Sequence, residues 1–280
     1  VDILKALYNL ANTCYFSDPR IVALAHDYEN LLVFYNDDTV KERLPYRFEG
    51  FTVKTCCVKC FYPASLTYLS ARSVVRPIVG GISVGILDKN VAGTIAFPAY
   101  YKGIPVIVSS SHVIAEEGNA SVGTRIIQPS EIDGGNKNHI IGWLLSSTNI
   151  RYPPETNIVD GAIATLETDY SHSILGIGEI NGETEPRIGM VVRKMGRSSF
   201  LTKGIIIGVN ALVKVSGYSR GTAIFEDQII TAKVADFGDS GAAIVDKDNN
   251  VVGIINATAT FYSVASKIEN VKKILGIKLF

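Results

Sequence analysis

Along residues 2 to 15 the apolar positions Ile3, Leu4, Leu7, Leu10, Ala11 and Cys14 recur at helical spacing. Asp2 stands where a cap is needed, and Asp18-Pro19 ends the pattern. The period then shortens: Ile21 to Ala25, Leu31 to Tyr35 and Phe51 to Val58 read as strands. Between them, Asp37 to Arg43 reads as a short helix broken at Leu44-Pro45. Residues 1–60 are thus expected to form a small α/β unit, followed by a linker at 61–77 that holds Pro63, Ser65, Ser70, Ser73 and Pro77. From Gly80 the character changes. Short apolar runs recur between Gly, Asn, Asp and Pro: Ile82–Leu87, Gly93–Phe97, Ile104–Ser109, Arg125–Gln128, Ile140–Leu145, Val159–Leu166, Met190–Lys194, Gly204–Val209, Thr222–Phe225, Gln228–Val234, Ala242–Val245, Val251–Asn256 and Phe261–Ala265. Many short strands with almost no helical period between them predict an all-β sandwich or a pair of barrels. Exposed strand edges need closure or cover, which favours barrels. At the end, Ser266-Lys267-Ile268-Glu269 fits a capping box that opens a short helix to Leu275, closed by Gly276. The expected fold is therefore mainly β, with two antiparallel barrels over 78–280, the small N-terminal unit and a C-terminal helix.

Composition narrows the function classes. With 47% hydrophobic residues in 280, the chain can bury a substantial core. The 27 basic and 27 acidic residues cancel, so bulk charge points to neither nucleic acid nor an anionic membrane. No apolar run is long enough to span a bilayer. The opening Val1-Asp2-Ile3-Leu4-Lys5 does not read as a signal peptide. Four cysteines, Cys14, Cys56, Cys57 and Cys60, are too few and too clustered for a disulfide framework, which leans toward a cytoplasmic setting. Cys57-x-x-Cys60 lacks a second pair at zinc-site spacing and reads as thiols along a strand, so neither metal nor cofactor is expected.

The chemistry gathers at Phe237-Gly238-Asp239-Ser240-Gly241-Ala242. A serine hydroxyl is a weak nucleophile without an adjacent base. Glycines on both sides let the backbone turn and bring N–H groups toward a developing oxyanion. The same letters also suit an ordinary turn. Of the four histidines, His112 is delivered by the apolar strand Val106 to Val108 to the small-residue turn Ser109-Ser110-Ser111. His26, His139 and His172 read as turn or surface residues. Asp160 lies in the apolar stretch Val159 to Leu166, where a charge is costly unless paired, as with an imidazole N–H. Asp239, next to the serine, reads as a former of the turn rather than a partner of the histidine.

The order His112, Asp160, Ser240, with separations of 48 and 80 residues, and the blocks around these residues resemble the trypsin-like serine peptidases of the chymotrypsin class. The resemblance extends to Pro77-Ile78-Val79-Gly80-Gly81, to Gln128-Pro129 with Asp133-Gly134-Gly135, and to Lys194-Met195-Gly196-Arg197 through Gly204. These blocks are similar to a prokaryotic branch related to the plant narrow-leaf serine protease. Two features depart from the usual pattern: Ser110-Ser111 precedes the histidine, and Ala242 follows Gly241.

The resemblance implies a serine endopeptidase acting on protein or peptide substrates. Ser240 would attack, His112 would move the proton, Asp160 would orient the imidazole, and the N–H groups of Gly238 and Ser240 would hold the oxyanion. Val234, Ile255, Asn256, Ala257 and Thr258 are the expected substrate-binding residues. The apolar Val234 in place of a carboxylate predicts small or medium uncharged P1 side chains. Ile78-Val79-Gly80-Gly81 imitates the terminus freed in zymogen activation, but Arg76-Pro77 before it favours a turn leading into a strand. The alternative function is a catalytically silent protease fold used for binding or scaffolding. An esterase is disfavoured because the Gly-x-Ser-x-Gly elbow is absent. A cysteine nucleophile is disfavoured because the second barrel contains no cysteine.

Overall fold

The apolar face that opens the chain becomes helix α1, Ile3–Ala11, with the Asp2 carboxylate accepting from the Leu4 N–H at 3.1 Å. The computed structural model describes residues 2–13, 17–57 and 71–280, which fall into two compact units, 1–64 and 65–280. Cys14, Cys60 and residues 61–70 of the predicted linker lie outside the described residues. In the first unit, β1 (Ile21–His26), β2 (Asn30–Tyr35), β3 (Arg47–Phe48) and β4 (Phe51–Cys57) form one sheet in the order β1-β2-β4-β3. The central pair β2–β4 is parallel. A 3₁₀ turn at Asp38–Arg43 serves as the crossover. Ala6 and Leu10 of α1 pack on Leu31, Val33 and Val53. Cys56 and Cys57 are free thiols on β4, and the described residues hold no cluster of three metal-ligating side chains.

The second unit begins earlier than the linker reading suggests. Ala71 is buried in the barrel core, Arg72 donates to the Arg197 carbonyl at 3.0 Å, and Gln128 bonds both Ser73 O and the Val75 N–H. Strand β5 (Ile78–Gly80) follows, its Ile78 N–H donating to Asp169 O at 2.7 Å. The first barrel consists of β6 (Ser83–Ile86), β7 (Gly93–Thr94), β8 (Phe97–Tyr101), β9 (Ile104–Ser109), β10 (Arg125–Ile127), β11 (Ile140–Ser147) and β12 (Ala162–Thr165). Its order is β8-β9-β12-β11-β10-β6-β7. The segment from β7 to β8 pairs with β6 at one end and β9 at the other, so no edge is left open there. Strands β13 (Tyr170–Ile174), β14 (Gly178–Glu179) and β15 (Gly182–Glu183) lead to the second barrel. That barrel is a closed ring: β16 (Val191–Lys194), β17 (Thr202–Tyr218), β18 (Gly221–Ala232), β21 (Tyr262–Lys267), β20 (Asn250–Thr258), β19 (Ala243–Val245) and back to β16.

Inward residues of both barrels supply the core. Ile82, Val84, Ile107, Ile126 and Ala164 fill the first, and Val192, Ile206, Ile229, Ile244 and Ala265 fill the second. Burying each large aliphatic contributes roughly 1.5–3 kcal/mol before entropy is counted. Among the described residues, no helix is long and apolar enough to cross a membrane.

Three expectations change. The runs read as Gly204–Val209 and Thr222–Phe225 belong to one long hairpin, β17–β18, that extends well beyond the barrel. Several register shifts and a positive φ at Asn210 interrupt its alternation, which is why the sequence looks like separate strands. Asp160 precedes its strand rather than lying in it, since β12 starts at Ala162. The capping box does not form. Helix α3 (Ile268–Leu275; a one-turn helix, α2, is described below) starts after Lys267 without a side-chain cap. The Ser266 hydroxyl points into the barrel toward Gln228, because Ser266 is a buried strand position. Gly276 does close the helix, in the left-handed conformation.

Candidate active site

His112 sits on a single helical turn, α2 (Ser111–Ile114), directly after β9. Val113 and Ile114 are buried in the first barrel, so packing anchors the turn that presents the imidazole. The three preceding serines each bond a carbonyl: Ser109 to Thr94 at 2.7 Å, Ser110 to Ile255 at 3.3 Å and Ser111 to Thr148 at 2.7 Å. Ser110 thereby ties the first barrel to β20 of the second. A hydroxyl at these positions satisfies buried carbonyls that a small apolar residue would leave to the backbone.

Asp160 comes next to His112 from the loop before β12. The imidazole Nδ1 hydrogen-bonds Asp160 Oδ2, and the His112 backbone N–H donates to Oδ1 at 3.1 Å. The Tyr218 hydroxyl donates to the same Oδ2 at 2.8 Å. The carboxylate is fully buried. Burial alone pushes the Asp160 pKa up, but His112 and the Tyr218 hydroxyl outweigh it and hold it below the usual carboxylate value. Burial pushes His112 down, and the Asp160 charge more than reverses this, leaving the imidazole above its ordinary value.

Ser240 and His112 line one cavity of about 320 Å³. The Ser240 hydroxyl makes no hydrogen bond to the imidazole among the described residues. Gly238 and Gly241 both have positive φ, +96° and +94°. A Cβ on Gly241 would lie 2.2 Å from Thr94 O, so the turn requires glycine there for space as well as conformation. Replacing Gly241 with Ala is expected to lower Tm by several degrees and to displace Ser240, measured by calorimetry and by loss of serine labelling. The Gly238 carbonyl accepts from Thr94 Oγ1 at 2.9 Å, and the Asp239 N–H donates to Asp236 O. No described group accepts from the N–H of Gly238 or Ser240.

Asp239 explains the Lys194–Gly204 block. Its buried carboxylate accepts from the N–H groups of Ser198 (2.7 Å), Ser199 (3.1 Å) and Asp236 (2.9 Å), and from the Ser199 hydroxyl. The fully buried Lys194 ammonium lies 3.1 Å away and also reaches Ser199 Oγ and Phe200 O. The partner of Asp239 is therefore Lys194, while Ile78 stays inside β5. Arg197 makes a two-pronged bond to Asp133, at 2.6 and 2.7 Å. Asp133 in turn accepts from Ser83 and Ser130. The Asp133-Gly134-Gly135 block and the Lys194 block thus brace the serine turn from behind.

Burial acts to raise the pKa of Asp133, Asp160 and Asp239, and their partners more than offset it, so all three are lowered. A lowered folded-state pKa contributes stability that is present above the unfolded value of about 4 and is lost as pH falls through the folded values. The urea midpoint is expected to fall steadily below about pH 4. A midpoint unchanged down to pH 3 would contradict this.

Of the predicted substrate-binding residues, Asn256, Ala257 and Thr258 line the cavity with Ser240. Val234 and Ile255 do not: both pack in the second-barrel core with Ile206 and Ile244, since inward positions of the ring are filled by side chains. The remaining walls come from Val215, Ser216, Gly217 and Tyr218 of the long hairpin, from Phe237, and from Glu117. Sequence reading missed these hairpin residues. The alternating run Ala211 to Ser216, flanked by Gly217 and Gly221, is the signal that a two-residue hairpin turn passes here. His139 and His172 serve local bonds, to the Asn136 N–H and to Pro98 O, and neither lines the cavity.

No protein-family model matches this sequence, and no curated protein matches it. Solved structures do match it in fold. Protease A of Thermobifida fusca is 18% identical with a TM-score of 0.52, covering 72% of this chain and 97% of its own. A chymotrypsin of Cellulomonas bogoriensis is 17% identical with a TM-score of 0.53, covering 72% and 98%. A glutamic acid specific serine protease, described as using a histidine triad in substrate binding, is 18% identical with a TM-score of 0.55, covering 72% and 100%. These neighbours are chymotrypsin-like serine proteases, and the second unit has their two-barrel fold.

Proposed function

We propose that this chain is a serine endopeptidase in which Ser240, His112 and Asp160 form the catalytic triad. The observation that carries the reading is that His112, hydrogen-bonded to the buried Asp160, lines the same cavity as Ser240, beside a glycine turn with two unbonded N–H groups. With Asp160 on Nδ1, the neutral imidazole keeps Nε2 as the acceptor for the Ser240 proton. Oγ attacks the scissile carbonyl, His112 takes the proton and returns it to the leaving amine, and Asp160 stabilises the imidazolium. The N–H groups of Gly238 and Ser240 receive the oxyanion. Water then hydrolyses the acyl-enzyme with His112 again as base. The sequence blocks that resemble the prokaryotic narrow-leaf-related branch support the same reading.

The cavity favours small or medium uncharged P1 side chains. Its carboxylate, Glu117, is held by the Ser219 N–H, the Ser219 hydroxyl and the Tyr152 hydroxyl, which fix it in the hairpin latch. His112 is the one histidine on its wall and no Lys or Arg lines it, which argues against acidic P1 residues.

Incubation with a sulfonyl fluoride should add one adduct, mapped to Ser240 and absent from the Ser240→Ala protein. An unmodified wild-type serine would favour the silent scaffold instead. A peptide-library profile dominated by Lys, Arg or Glu at P1 would overturn the pocket assignment. Because the base must be neutral, kcat/KM should fall as pH drops through the raised His112 pKa, with a midpoint above the ordinary value of about 6.5.

A further inference from the structure

The hairpin β17–β18 leaves the second barrel and ends at Tyr218-Ser219-Arg220-Gly221 beside the first-barrel residues His112 and Asp160. We propose that Tyr218 is a positioning residue for the His112–Asp160 pair, delivered across the barrel junction by a tip that is latched in place. This builds on the peptidase reading.

Three sets of contacts hold the tip. Glu117 accepts from the Ser219 N–H at 2.7 Å and from its hydroxyl at 2.6 Å. Tyr152 donates at 2.8 Å to Glu117 Oε2, the oxygen that also accepts from the Ser219 hydroxyl, and the Arg220 guanidinium lies 5.0 Å over the Tyr152 ring. Asn157 acts as a strand residue against β18: its N–H donates to Ile224 O at 2.8 Å, and its carbonyl accepts from the Glu226 N–H at 2.8 Å. Asn157 lies three positions before Asp160, so the segment carrying the carboxylate is clamped to the hairpin that carries the tyrosine. Under the tip, Tyr218, Phe225, Ala223 and Ile150 form a separate small apolar cluster. Glu116 and Glu117 both adopt positive φ, +48° and +63°, a conformation rare for such residues, and Glu117 ends as the latch.

The ring of Tyr218 stacks on Phe225 at 5.8 Å and meets His112 edge-on at 5.9 Å. The phenol is nine-tenths buried and donates to the carboxylate, which when ionised can only accept. Burial, and then the Asp160 charge, push its pKa far above the ordinary value, keeping the proton on it. Asp160 Oδ2 therefore receives two donors, the imidazole Nδ1–H and the phenol O–H. The second donor keeps a buried carboxylate ionised and fixes its plane relative to the imidazole. It also draws charge away from the imidazole, so it restrains the rise that Asp160 imposes on His112. Residues Val215, Ser216 and Gly217 of the same hairpin line the substrate cavity, so one element shapes the cleft and sets the base.

The titratable and charged groups facing the pair are Glu117 from the turn after α2, Tyr152 from the loop before β12, and Tyr218 and Arg220 at the tip. Tyr218→Phe removes the hydroxyl and keeps the ring, leaving the others in place. The titration of His112 is followed by NMR of the imidazole in both proteins, and the phenol proton is sought in the wild type. The wild type should show a slowly exchanging Tyr218 hydroxyl proton with a cross-peak to the His112 Nδ1–H. In the variant the His112 midpoint should rise by about half a pH unit, because Asp160 loses the competing donor. The acid limb of kcat/KM should move with it, and kcat should fall about tenfold with KM little changed. Absence of the protected phenol proton, or a folded variant whose His112 midpoint equals that of the wild type, overturns the proposal. A packing role alone would leave both the midpoint and the acid limb unmoved in the Phe variant. If the wild type labels at no serine, the peptidase reading fails on that result, while the imidazole titration still decides the role of Tyr218.

Discussion

Replacing Ser240 with Ala should lower kcat for a susceptible peptide by about a million-fold, and replacing His112 with Ala should cost a similar factor. The two losses should not add, because each removes the same proton-coupled attack. The double variant is expected to retain the activity of either single one, supplied by oxyanion binding and substrate alignment alone. Asp160→Asn should cost about ten-thousand-fold. An amide at this position presents an N–H where the imidazole Nδ1–H needs an acceptor, so His112 is driven to the tautomer that cannot accept the Ser240 proton. The Tyr218 hydroxyl and the His112 N–H already occupy the rest of the carboxylate, so the side chain cannot rotate freely to escape the mismatch. Single-turnover kinetics on the three variants test the order of these losses. A Ser240→Ala protein with undiminished turnover would remove the triad.

Lys194→Met should destabilise the protein by about 3–5 kcal/mol. The ammonium and the Asp239 carboxylate are both fully buried, and removing one leaves the other as an uncompensated charge. Burial lowers the Lys194 pKa, and the Asp239 charge acts against that. Three N–H donors and the Ser199 hydroxyl remain on Asp239 in the variant, so the carboxylate is not left bare. The turn they shape is the one that carries Ser240. Serine labelling should therefore slow as well, even where the protein is still folded. Pairing Lys194→Met with Asp239→Asn should restore part of the stability, because no buried charge then remains. Urea unfolding of the single and double variants measures the difference. A single variant as stable as the wild type would show that Asp239 relaxes to solvent.

Much of the candidate site is legible because its chemistry is local. Gly238 and Gly241 bracket Ser240 within four residues, and each is required by the backbone it occupies. His112 follows its strand directly, and Asp160 betrays itself as a charge in an apolar stretch. Asp239 reads correctly as a turn-former from its position alone. What holds it could not be read, since Lys194 is 45 positions away in sequence. Its distance from the serine along the chain puts Val234 at the cavity, but its side chain packs in the second-barrel core instead. Ser266 failed as a cap for the same reason: strand pairing claims it before the helix begins.

The sequence by itself determined the strand-rich character of residues 78–280, the helix and strands of the first unit, and the residue types from which a serine site can be built. Alternation, turn residues and glycine conformations are properties of short stretches, and they act before any distant contact forms. Tertiary structure alone decided which strands close each barrel, that Lys194 neutralises Asp239, and that Asn256, Ala257 and Thr258 face the cavity while Val234 and Ile255 do not. It also decided that a hairpin tip more than fifty residues beyond Asp160 supplies that carboxylate with its second donor. The physical reason is that buried charges and barrel edges are satisfied by whatever the closed sheet brings within hydrogen-bond reach, and sequence spacing carries no record of that reach.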